Sequence, residues 1–92
     1  MAKCTTRVEL HNATGEDYDK LHDAMESIGF SRLIYGSDGV WYHLPWAEYN
    51  IDAPVGIEEV RDKASQAAAT TGCKAAILVT EGTRAWQGLI AA

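Results

Sequence analysis

Hydrophobic spacing along this chain switches between strand and helix periods in the order β-α-β-β-α-β, and few small folds accept that order. Over residues 4–11 the side chains alternate, with Thr6, Val8 and Leu10 on one side and Arg7, Glu9 and His11 on the other. A period of two marks a strand with one buried face. Tyr18, Leu21, Met25 and Ile28 then recur at spacings of three, four and three, which is one apolar stripe along a helix. Thr14 and Asp17 read as its N-terminal cap, and Gly29 as its stop. Residues 30–35 and 40–45 are strand-like, and the turn Gly36-Ser37-Asp38-Gly39 between them predicts a hairpin that Pro45 ends. A second stripe, Ile57, Val60, Ala64, Ala67 or Ala68 and Thr71, runs up to Gly72. Residues 74–80 then form a short apolar strand of the kind buried in a sheet.

With right-handed crossovers and a tight central hairpin, this order selects a ferredoxin-like βαββαβ sandwich of the α+β class. The expectation is one four-stranded antiparallel sheet in the order 4-1-3-2, with helices near 15–28 and 57–71 on one face. Residues 46–56 read as an irregular connection in which Trp46 and Tyr49 form packed cover or interface. The tail, with Trp86, Leu89 and Ile90, should dock as a further strand or cover an edge. Ninety-two residues make a single domain, 1–92, and at this size the core is thin. Exposed Trp41, Trp46 and Tyr49 therefore predict a homodimer.

Charge and composition narrow the function classes. Hydrophobic residues at 47% and charged residues at 23% describe a globular chain. The sequence shows no membrane-length apolar run and no apolar leader, so no membrane association and a cytoplasmic location are expected. A net charge of −5 opposes a broad electrostatic grip on nucleic acid, so any such contact must be local. Cys4 and Cys73 form no C-x-x-C pair, and extended-strand geometry places them too far apart to bridge. No cofactor fingerprint is present, and the cysteines have no histidine at zinc-ligand spacing. His11 and His43 could share a metal with Glu9 as a two-His-one-carboxylate set, but no fourth ligand is evident.

One patch carries chemistry. The sheet face away from the helices should present Arg7, Glu9 and His11 from the first strand, with Trp41 and His43 from the third. If the register pairs Glu9 with His43, His11 lies beside Trp41. A carboxylate next to an imidazole orients it and raises its pKa, as general acid–base catalysis requires. Two histidines, Glu9 and the Arg7 cation then fit a metal-independent ribonuclease. One base would take the ribose 2′-OH proton, one acid would protonate the leaving oxygen, and the cation would steady the phosphorane. Trp41 and Arg32 would contact the RNA. The same residues also read as ordinary cross-strand pairs or a dimer surface. His22 reads as a rim residue of the first helix.

The segments Val8–His11 (VELH), Asp17–Arg32 (DYDKLHDAMESIGFSR), Tyr42–Pro45 (YHLP), Ala47–Asn50 (AEYN) and Ile77–Glu81 (ILVTE) together resemble the small bacterial GhoS-like endoribonuclease antitoxins. The resemblance spans roughly residues 4–91 and rests on overall pattern. It implies a ferredoxin-like fold, related in shape to CRISPR-associated ribonucleases, and cleavage of the messenger RNA of a small membrane-damaging toxin. It assigns no catalytic residue. The reading that competes with it is a non-enzymatic homodimeric module that binds a partner through the sheet face and residues 46–56.

Overall fold

The computed structural model describes residues 2–92 and contains five strands and two helices. They follow the order β1 (Ala2–Leu10), α1 (Gly15–Ser27), β2 (Leu33–Tyr35), β3 (Trp41–His43), β4 (Glu48–Ala53), α2 (Ile57–Ala69) and β5 (Ala75–Glu81). β1 is central in a three-stranded antiparallel sheet of order β4-β1-β5, while β2 and β3 form a separate antiparallel hairpin. The arrangement is α+β and compatible with a small ferredoxin-like fold, but it corrects the expectation of one four-stranded sheet.

The correction lies in residues 48–53, which read as part of an irregular loop and are in fact the strand beside β1. Their period of two was present, with Tyr49 and Ile51 buried and Glu48 and Asp52 outward. Asn50 and Asp52 are poor strand formers, so local preference hid the pattern. Pairing with β1 from Ala2↔Ala53 to Arg7↔Glu48 supplies what propensity lacked. The strand expected at 40–45 is therefore displaced from the main sheet. Of the segment before β2, only Ser31 reaches β4, exchanging two backbone hydrogen bonds of 2.7 and 2.8 Å with Asn50.

Both helices lie where their stripes placed them. Thr14 caps α1 through a reciprocal box: its hydroxyl accepts from the Asp17 amide at 3.3 Å, and the Asp17 carboxylate accepts from the Thr14 amide at 2.9 Å. Gly29 takes φ +102 just beyond the helix, a conformation that costs other residues a Cβ clash. Leu21 and Met25 of α1 meet Val60, Ala64, Ala67 and Ala68 of α2 over Cys4, Val8 and Leu10 of β1. Each large apolar side chain buried there contributes about 1.5–3 kcal/mol, and the alanines let α2 approach closely. The tail folds back on the hairpin. The amide of His43 donates to Ile90 at 2.8 Å, that of Ala92 donates to Trp41 at 2.9 Å, and Tyr42 bridges Ala91. It thus covers the edge of β3 through a single isolated bridge.

No helix among the described residues is long and apolar enough to cross a membrane.

Candidate functional site

Parity along β1 decides which side chains share the open face. Cys4, Thr6, Val8 and Leu10 are buried toward the helices, so Thr5, Arg7, Glu9 and His11 emerge on the other side. Directly opposite them stand Asn50 and Glu48 of β4, and Ala76, Leu78 and Thr80 of β5. Arg7, Glu9 and His11 are exposed. His11 Nε2 lies 4.0 Å from Glu9 Oε1, the outer limit of an ion pair. At a half-exposed position such a pair is worth about 0–1 kcal/mol, enough to bias the ring's orientation but not to lock it. Arg7 faces Glu48 in register, yet among the described residues no carboxylate comes within 4.0 Å of it. Its guanidinium is thus available to an external anion.

His43 and Trp41 do not join this group. The expected Glu9–His43 register is overturned, because β1 pairs with β4 and β5, and Glu9 stands opposite Ala76. His43 stands opposite Leu33 in the hairpin, and Trp41 opposite Tyr35 with ring centroids 4.9 Å apart. The physical reason is β4: once residues 48–53 take the place beside β1, the hairpin is left outside the sheet. Arg32 is also elsewhere. Its guanidinium sits 5.6 Å from the centroid of the Trp46 ring, which also packs with Tyr18 and His22 of α1.

His22 corrects a second expectation. It is 6% exposed, so it is no rim residue. Its Nδ1 lies 2.6 Å from the Tyr49 hydroxyl, and the edge of its ring meets Trp46 at 4.9 Å. Its Nε2 is buried and has no hydrogen-bond partner among the described residues. Burial first, then the Arg32 charge, pushes its pKa below the ordinary histidine value, so the ring is held neutral. Burial likewise raises the Tyr49 hydroxyl far above the ordinary tyrosine range. Tyr49 is wholly buried and so drops out of the exposed aromatic surface expected to drive dimerisation.

Sequence reasoning missed Arg84. After Gly82 the tail turns over the open face, where Arg84 Nη1 donates to Asn50 Oδ1 at 2.6 Å and approaches Thr5 Oγ1 at 3.5 Å. A lone arginine in a polar tail carries no local signal of this. Thr5, by contrast, was readable from its parity with Arg7. Together Thr5, Arg7, Glu48, Leu78 and Arg84 line an open depression of about 300 Å³. A larger groove of about 800 Å³ separates the hairpin loop from the tail, between Asp38, Tyr42, Arg84 and Trp86. Its floor is tied by the Tyr42 hydroxyl donating to Asp38 Oδ2 at 2.5 Å, a bond that holds the Asp38 carboxyl below its ordinary range. Among the described residues, no three His, Cys, Asp or Glu side chains group in a way that would hold a metal ion. Both cysteines are free thiols.

Compared with known proteins, the chain matches no family model and no curated protein.

Proposed function

We propose that this chain acts on RNA in the cytoplasm as an endoribonuclease of the GhoS-like antitoxin type, using the exposed face of β1. The observation that carries this reading is that Arg7, Glu9 and His11 share that face, with His11 and Glu9 4.0 Å apart and, among the described residues, no carboxylate paired with Arg7. In this reading His11 takes the 2′-OH proton, the 2′-oxygen attacks phosphorus, and the P–O5′ bond breaks. The products are a 2′,3′-cyclic phosphate and a 5′-hydroxyl protonated by water. Glu9 orients the imidazolium formed. Arg7 and His11 are four positions apart, about 13 Å at the rise of an extended chain, so Arg7 holds a neighbouring phosphate and sets the register of the strand. The net charge of −5 confines RNA to this local contact.

The test is cleavage of single-stranded and structured RNA by purified protein with chelator present. His11→Ala should lose ~100- to 10,000-fold in rate, the usual contribution of one acid–base group. His43→Ala, on the separate hairpin, should keep its activity. Equal cleavage by wild type and His11→Ala, or none by wild type on any RNA, would overturn the proposal.

A second reading, a non-enzymatic module that self-associates, is favoured by a different observation. Leu78 stands 65% exposed at the middle of an edge strand.

A further inference from the structure

Among the described residues, β5 is paired on one side only. Its strand neighbour is β1, and the tail leaves it at Gly82 to cross the open face toward Asn50. The hydrogen bonds His11 N to Lys74 O and Gly82 N to Lys3 O show which residues of β5 point toward β1. They are the even-numbered ones, because bonding direction alternates along an antiparallel ladder. The N–H and C=O groups of Ala75, Ile77, Val79 and Glu81 therefore point outward, and among the described residues no strand pairs with them.

Edges of this kind are usually blunted by an inward charge, a proline or a bulge. From Ala75 to Thr80 the sequence AAILVT has none of these.

We infer that the β5 edge is a self-association surface, on which a second copy of this chain adds its own β5 antiparallel about a two-fold axis through Leu78. The inference deepens the self-association reading and needs no catalysis. The register follows from the geometry. With Leu78 on the axis, Ile77 exchanges bonds with Val79 of the second copy and Ala75 with Glu81, so every outward N–H and C=O of the four residues is satisfied. A shift of the axis to Ile77 leaves the Glu81 groups unpaired. A shift that brings Glu81 onto the axis sets two carboxylates against each other, which costs stability. In the Leu78-centred register the two Leu78 side chains meet as a close, non-hydrogen-bonded pair. That contact buries the most exposed apolar side chain of the sheet. The two three-stranded sheets become continuous, and the β1 faces stay open on either side of the axis.

The experiment has two parts. Light scattering across a wide concentration range should give twice the 10.0 kDa chain mass for wild type. Leu78→Lys, which keeps the fold because the position is exposed, should return the monomer. Ile90→Lys is the control on the hairpin side, where Ile90 is 74% exposed, and should stay dimeric. In a Cys73→Ser background, Leu78→Cys should cross-link to itself under mild oxidation, since the two-fold brings its Cβ atoms within disulfide reach. Thr80→Cys should not, because its symmetry mate lies four strand residues away, about 13 Å along the strand. A monomeric wild type overturns self-association altogether. A dimer broken by Ile90→Lys and untouched by Leu78→Lys overturns only the β5 interface, and cross-linking by Thr80→Cys overturns the register.

Discussion

Tyr49→Phe removes one oxygen atom from the middle of the core and leaves the ring that fills it. That oxygen is the partner of His22 Nδ1 at 2.6 Å, and His22 Nε2 has none. The substitution would therefore leave both nitrogens of a 6%-exposed imidazole unsatisfied. Ring volume is kept, so the cavity contribution is small and the desolvation of an unpaired polar group dominates, about 1–3 kcal/mol. At ~2.1 cal/mol/K of unfolding entropy per residue, that loss corresponds to a fall in Tm of about 5–15 °C for a chain of this size. Urea and thermal unfolding at pH 7.5, where His22 is neutral in both states, would measure it. The cycle with His22→Phe isolates the pair: the double substitution should cost less than the sum of the singles, with a coupling of at least ~0.5 kcal/mol. An unfolding midpoint unchanged by Tyr49→Phe, together with zero coupling, would refute the reasoning that this hydrogen bond offsets the desolvation of the buried His22 ring.

His22 also sets a pH dependence. Its folded pKa lies below the unfolded value near 6.5, so below about pH 6.5 the unfolded chain binds the extra proton and folding weakens as pH falls. The opposing Asp19, Asp23 and Glu26 charges soften this, while Arg32 reinforces it. The urea midpoint should drop between pH 7.5 and 5.5 in wild type and much less in His22→Phe; parallel curves would remove His22 as the cause. Asp17 and Asp38, whose folded values are depressed, lose their contributions only as pH falls through the carboxylate range. Gly36→Ala should loosen the hairpin, because a Cβ there would meet Asp38 Oδ1 at 2.5 Å and the Tyr42 and Trp86 rings at 3.1 and 3.3 Å. A Trp86 fluorescence spectrum and a Tm both unchanged in Gly36→Ala would contradict that packing.

What could be read from residues alone was whatever depends on short-range periodicity. The alternation of Thr6, Val8 and Leu10 against Arg7, Glu9 and His11 determined which side of β1 is buried, and so determined which part of the candidate site stays together. The stripes through Leu21 and Met25, and through Val60 and Ala64, determined both helices, as Thr14 and Gly29 determined the ends of the first. Pairing partners were decided only in three dimensions. Nothing local distinguishes residues 40–45 from 48–53 as the neighbour of β1, and the intrinsically weaker segment wins because Tyr49 and Ile51 add to the core while Tyr42 packs on the tail's Trp86 instead. That choice sent His43 and Trp41 to the hairpin, and it brought Tyr49 under α1 to meet His22. It also made Asn50 the acceptor for Arg84, thirty-four residues further on. The last two are contacts between residues 27 and 34 positions apart, settled by burial of the whole core and not by the preference of any one segment.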